Sequence, residues 1–78
     1  MKLMILNLPR SFSENDLAKL LKKYGNIKAC NLVMDTQAGK SKGFGFVDMV
    51  QELDAKAAIK ALHGSTIGER KIRVKIAD

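Results

Sequence analysis

Residues 42–49 read KGFGFVDM, and their strict period-two alternation commits this part of the chain to an extended strand. Successive side chains of a strand point to opposite faces, so Lys42, Phe44, Phe46 and Asp48 share one face, and Gly43, Gly45, Val47 and Met49 share the other. Two aromatics spaced in this way beside a lysine form a flat stacking surface next to a positive charge, which is what an unpaired base on a phosphate backbone requires. Taken alone, an F-x-F pair in a short domain reads more readily as ordinary core. The rest of the chain has to decide between the two.

The remaining segments alternate strand and helix. Lys2 to Leu6 is an apolar, β-compatible run closed by Asn7, Leu8 and Pro9. Ser13 suits a helix N-cap, with Glu14 and Asp16 in the first turn where their charges complement the dipole. Leu17, Leu20, Leu21 and Tyr24 then recur at helical spacing, and Gly25 fits the left-handed position past a helix end, predicting a helix over Glu14–Tyr24. A second strand is predicted over Ile27–Met34, followed by a polar, turn-rich loop from Asp35 to Ser41 and the KGFGFVDM strand, up to about Val50. Leu53, Ala55, Ala58, Ile59 and Leu62 mark one face of a second helix, which Gly64 closes; His63 at its end is read as structural, a cation placed favourably on the dipole. Ser65–Glu69 is a short connection, and Lys71–Ala77 is the last strand.

This βαββαβ order predicts an α+β, ferredoxin-like sandwich: a four-stranded antiparallel sheet with both helices on one face. Such helices bury only one side of the sheet. In the last strand Ile72, Val74 and Ile76 must take the buried side, leaving Lys71, Arg73 and Lys75 outside. In the aromatic strand both faces carry apolar groups, but Val47 and Met49 suit the core, and Gly43 and Gly45 allow close approach of a helix. Phe44 and Phe46 are therefore placed outward, beside a basic strand.

Length and charge narrow the function. With 78 residues the chain is read as one domain, residues 1–78, of a size that buries roughly 60% of the surface its unfolded form exposes. Fourteen Lys and Arg against eight Asp and Glu give a net charge of +6, which favours an anionic partner. The single cysteine, Cys30, is read as a small buried hydrophobe; alone it forms no internal disulfide and no multi-cysteine metal site. The chain has no run of about 18 apolar residues to cross a membrane. Its start, with one lysine after Met1 and a short apolar run ended by Pro9 and Arg10, does not read as a secretory signal, and a cytoplasmic setting is expected.

KGFGFVDM resembles the octamer motif of the RNA recognition motif family, K/R-G-F/Y-G/A-F-V-x-F/Y, departing only at core-facing Met49. LMILNL, residues 3–8, resembles the family's hexamer motif, with Met4 where an aromatic is usual. DLAKLLKKYG, DAKAAIKALHG and KIRVKIA resemble the first helix, second helix and last strand, so the likeness runs the length of the chain. A single domain that begins at Met1 is similar to the small stand-alone bacterial members, although a trimmed segment of a longer protein looks the same.

The resemblance implies single-stranded RNA binding, with single-stranded DNA as a further ligand and no cofactor, metal or catalytic group. Phe44 and Met4 would each lie under a base, with Phe46 contacting sugar or inserting between nucleotides. Lys42 would pair with a phosphate, Lys71, Arg73 and Lys75 would extend the positive edge, and Lys2, Leu6, Asn31 and Val33 complete the exposed face. Lys40, at the end of the loop, would help clamp the strand. Loss of the hexamer aromatic and the short chain beyond Ile76 predict modest affinity. A monomer is expected.

Two other classes fit the sequence less well. AGKS looks like the end of a phosphate-binding loop, but the motif's first glycine would fall at Met34 and a strand follows; G-x-G-x-x-G fails at Asp48. A protein-interaction module of the same fold, using the helical face with Lys19, Lys22, Lys23 and Lys60, is the alternative, kept open by Met4.

Overall fold

The computed structural model describes residues 1–35 and 40–77, with described side chains at 1–33 and 43–77. Its elements are β1 (Lys2–Leu6), α1 (Glu14–Lys22), β2 (Ile27–Asp35), β3 (Lys40–Met49), α2 (Glu52–Leu62), β4 (Thr66–Ile67), β5 (Arg70–Lys71) and β6 (Arg73–Ile76). Strands β2, β3, β1 and β6 form, in that order, one antiparallel sheet, while β4 and β5 make a separate small hairpin. Helices α1 and α2 cover one face of the main sheet, as the βαββαβ pattern predicts.

Alternation sorts the strands into that core. Leu3, Ile5, Val47, Met49, Ile72 and Val74 are buried in one cluster with Leu17 and Leu21 of α1 and Ala55, Ala58 and Leu62 of α2. At Gly45 α1 comes close to the sheet: a Cβ there would stand 2.7 Å from Leu17 Cδ2 and 2.8 Å from the Asn31 carbonyl oxygen. Gly43 serves a different purpose from the helix approach predicted for it. Its φ of +87° lies where the β2/β3 register shifts, between the pairs Leu32–Gly45 and Met34–Ser41, and its carbonyl accepts the Leu8 N–H at 2.7 Å. Residues with a Cβ rarely take that φ, and a glycine makes the bulge without strain.

Helix α1 opens on a capping box. The Asp16 N–H donates to Ser13 Oγ at 3.1 Å, and the Ser13 N–H donates to Asp16 Oδ2 at 3.0 Å. The helix ends at Lys22, two residues short of the predicted Tyr24. Gly25 is not left-handed. Its small size is needed because α2 passes beside it: a Cβ on Gly25 would stand 2.6 Å from Asp54 Cβ.

Four further expectations are corrected. Leu53 is 77% exposed, because it sits two residues, about 200° of helix, from Ala55, and so falls off the face formed by Ala55, Ala58 and Leu62. Lys71 leaves the main sheet: it pairs with Thr66 in the hairpin, and the last strand begins only at Arg73. Ile76 is 51% exposed instead of buried. Helix α2 runs diagonally, from Asp54 beside Gly25 at the start of β2 to His63 beside Val74 in β6, and leaves the Ile76 corner uncovered. Finally, His63 is structural, but through a contact other than the dipole one expected. Its Nδ1 accepts the Val74 N–H at 3.1 Å, which requires that nitrogen to be unprotonated.

Two measurements test this account. Gly45→Ala is expected to cost about 1–3 kcal/mol by overpacking α1 against the sheet, read as a lower denaturant midpoint with an unchanged slope. The hydrogen bond from the Ser13 backbone N–H, helped by Ser13's side chain and the Lys19 charge, holds the Asp16 carboxyl below its ordinary value of 3.8. A depressed folded value means that this contribution is complete above 3.8 and is lost as pH falls below it. Thermal melts should therefore show Asp16→Asn less stable than the parent at neutral pH, with the gap closing in that acid range.

Candidate nucleic-acid interface

The face opposite the helices is open. Asn31 of β2, Phe46 of β3, Met4 of β1 and Lys75 of β6 are successive cross-strand partners, so they form one lateral row spanning all four strands. Adjacent strands lie about 4.8 Å apart, which sets the Phe46 and Met4 side chains in direct contact range. Both are half-buried, flanked along their strands by fully buried neighbours such as Val47 and Ile5. That alternation is the reason they face outward.

A second row lies one step towards the end of β1. Leu6 pairs with Arg73, and the β1/β3 register carries Phe44 opposite Leu6; Val33 of β2, also half-buried, lies at the β2/β3 register shift. On the other side of the aromatic row, Lys2 pairs with Asp48, the one described carboxylate on this face, which also receives the Met1 amino group at 3.4 Å. The expected residues Lys2, Met4, Leu6, Asn31, Val33, Phe44, Phe46, Arg73 and Lys75 thus gather on one surface. Lys71 is at its edge in the hairpin. The side chains of Lys40 and Lys42 lie outside the described residues.

The two rings are not one flat platform. Phe44 and Phe46 meet edge to face, with centroids 6.2 Å apart and planes at 84°. Met4 lies beside Phe46, not beside Phe44. The Lys2 ammonium stands over the Phe46 ring, 5.4 Å from its centroid, within cation–π range.

Charge on this side is unbalanced. Among the described residues no carboxylate lies within ion-pair distance of Arg70, Lys71, Arg73 or Lys75, whereas the Met1 amino group meets Asp48 and Lys56 meets Glu52. Cys30 stays out of the open face and packs against the core, its Sγ donating to the Glu14 carbonyl at 3.7 Å. Burial, then the Glu14 charge, pushes its thiol up from the ordinary value.

Two contributors escaped the sequence. Glu14 accepts the Leu32 N–H through its carboxylate at 3.2 Å and so ties the start of α1 to edge strand β2. Asn7 links the end of β1 to the hairpin, donating to the Lys71 carbonyl at 2.8 Å and accepting from Arg70 at 3.1 Å. The one available signal was Asn7 itself, a residue type that tolerates positive φ, and its φ is 62°.

Residues 3–73 match the family model described as RNA recognition motif. The chain is 38% identical over 72 residues, 92% of its length, to the 28 kDa chloroplastic ribonucleoprotein of Spinacia oleracea, and covers 31% of that protein. It spans less than a third of the length of the curated relatives it matches. Among solved structures it superposes on RNA binding protein PG1 with a TM-score of 0.93 at 39% identity, covering 99% of this chain and 93% of that one. An Sxl-lethal protein/RNA complex gives a TM-score of 0.92 at 32% identity, covering 99% of this chain and 46% of that one.

Proposed function

The chain belongs to the RNA recognition motif family, and from that premise we propose that it binds single-stranded RNA on the open face of its sheet. The observation that carries the proposal is the row Asn31, Phe46, Met4, Lys75: a stacking ring, a polarisable side chain, an amide and a cation in one line across the sheet. Because Met4 pairs with Phe46 and not with Phe44, the roles expected of the two rings are exchanged: Phe46 stacks one base and Met4 packs against its neighbour. Phe44, set at a right angle to Phe46, meets the next nucleotide or sugar. Arg73 and Lys75 pair with phosphates, as do Lys40 and Lys42 by their place in the sequence. Asn31 reads a base edge.

Lys2 competes with the base for Phe46. An exposed cation–π contact contributes about 0.5–1 kcal/mol, whereas stacking a base on an aromatic contributes about 1–3 kcal/mol. Stacking wins, and the displaced ammonium is released beside the incoming backbone.

Stacking and phosphate pairing do not depend on the sugar, so single-stranded DNA is a second ligand of the same surface. The proposal is one of binding by a monomer in the cytoplasm, without catalysis or cofactor. A protein partner on the helical face, where Leu53 is exposed, is the second reading; chemical-shift mapping separates the two by the face that responds.

Fluorescence anisotropy with an unstructured RNA tests the proposal. Phe46→Ala is expected to weaken binding by about 1–3 kcal/mol, and Phe44→Ala to weaken it as well. Met4→Phe should strengthen it by about 1 kcal/mol through a second stacked base. Equal affinity in all four proteins would rule the sheet face out.

A further inference from the structure

Asn7 is the one non-glycine residue at positive φ among the described residues. It spends both ends of its amide on the hairpin. Nδ2 donates to the Lys71 carbonyl at 2.8 Å, and Oδ1 accepts from Arg70 Nη1 at 3.1 Å. The two partners, a carbonyl and a guanidinium, also fix which way the amide points. The exposed Arg70 side chain is thus tethered at the end of β1, one residue beyond Leu6, whose partner Arg73 brings a second guanidinium to the same end.

One hydrogen bond to a neutral amide leaves the Arg70 charge uncompensated and most of its five N–H donors open. Glu69, the one carboxylate in the hairpin segment, makes no ion pair with it. A planar fork held in place, at the same end of the sheet as another cation and with no acid paired to it among the described residues, matches a phosphate group. The tether also lowers the entropy lost on binding, since a long side chain otherwise gives up rotamer freedom when it is immobilised.

We propose that Arg70, positioned by Asn7, is a phosphate-binding residue at the β1 end of the open face, taking the nucleic-acid backbone as it leaves the Phe44 and Leu6 row. This rests on the reading of the sheet face as an RNA surface. Arg70 contacts the ligand; Asn7 is a positioning residue whose amide hydrogen-bonds to Arg70 and the Lys71 carbonyl.

The test is anisotropy of the full chain with an unstructured oligouridine RNA over a series of salt concentrations. Each phosphate contact on a single strand contributes about 0.7 to the log–log salt slope. Arg70→Gln is expected to weaken binding several-fold at low salt and to reduce the slope by about 0.7, a readout that a purely structural role does not move. Arg70→Lys should keep most of the slope. Asn7→Gly, which tolerates the backbone conformation, should weaken binding, and combined with Arg70→Gln it should add nothing further. Lys60→Gln, the same charge change on α2, should leave the slope as it is. The inference is overturned, and the sheet reading survives, if Arg70→Gln leaves affinity and slope unchanged while Phe46→Ala weakens binding, or if Lys60→Gln moves the slope equally. Both fall together if the parent chain does not bind the RNA.

Discussion

The contact between Leu17 and the bare backbone of Gly45 organises the molecule. Gly45 lies between the two phenylalanines of β3, and a side chain there would hold α1 away from the sheet by the width of a methyl group. With the helix seated, the space on that side is filled by leucine, isoleucine, valine, methionine and alanine side chains. The pleat sends the residues before and after Gly45 to the far side. Two apolar rings face water because the buried face is full, and the missing side chain is what lets the helix fill it.

Much of this was legible because one strand or helix carries its own period. The buried set of β3, the apolar stripe of α1 and the N-cap at Ser13 all follow from local spacing. The failures have a common physical origin in that period says nothing about partners. Lys71 continues the alternation of Arg73 and Lys75, yet it pairs with Thr66 in another sheet. Ile76 keeps the alternation of Ile72 and Val74, but whether it is covered depends on the diagonal path of α2. Asn7 and Arg70 are 63 residues apart, and no pattern within either segment links them. In the interface, the residue types and their common face could be read from the chain, whereas the register that sets Met4 beside Phe46 had to come from the folded sheet.

The sheet's two edges are closed by single side chains. Leu32 of β2 gives its N–H to the Glu14 carboxylate, and Val74 of β6 gives its N–H to His63. Exposed strand edges invite pairing with further strands, and capping an amide with a side chain that starts or ends a helix removes part of that template. Each cap also anchors a helix, Glu14 at the start of α1 and His63 at the end of α2. The same two contacts therefore guard the edges and fix how the helical layer lies across the strands.

The right angle between Phe44 and Phe46 has a consequence for the shape of whatever lies on them. Bases that each lie flat on one of these rings occupy nearly perpendicular planes, so a strand engaging both gives up its own base-on-base stack at that step. Its bend is imposed by the protein, and its cost is carried by the ligand. Strands that hold a strong internal stack, as purine runs do, lose more in turning this corner than loosely stacked pyrimidine runs. Discrimination of this kind needs no hydrogen bond to any base, because it arises from the stiffness of the nucleic acid.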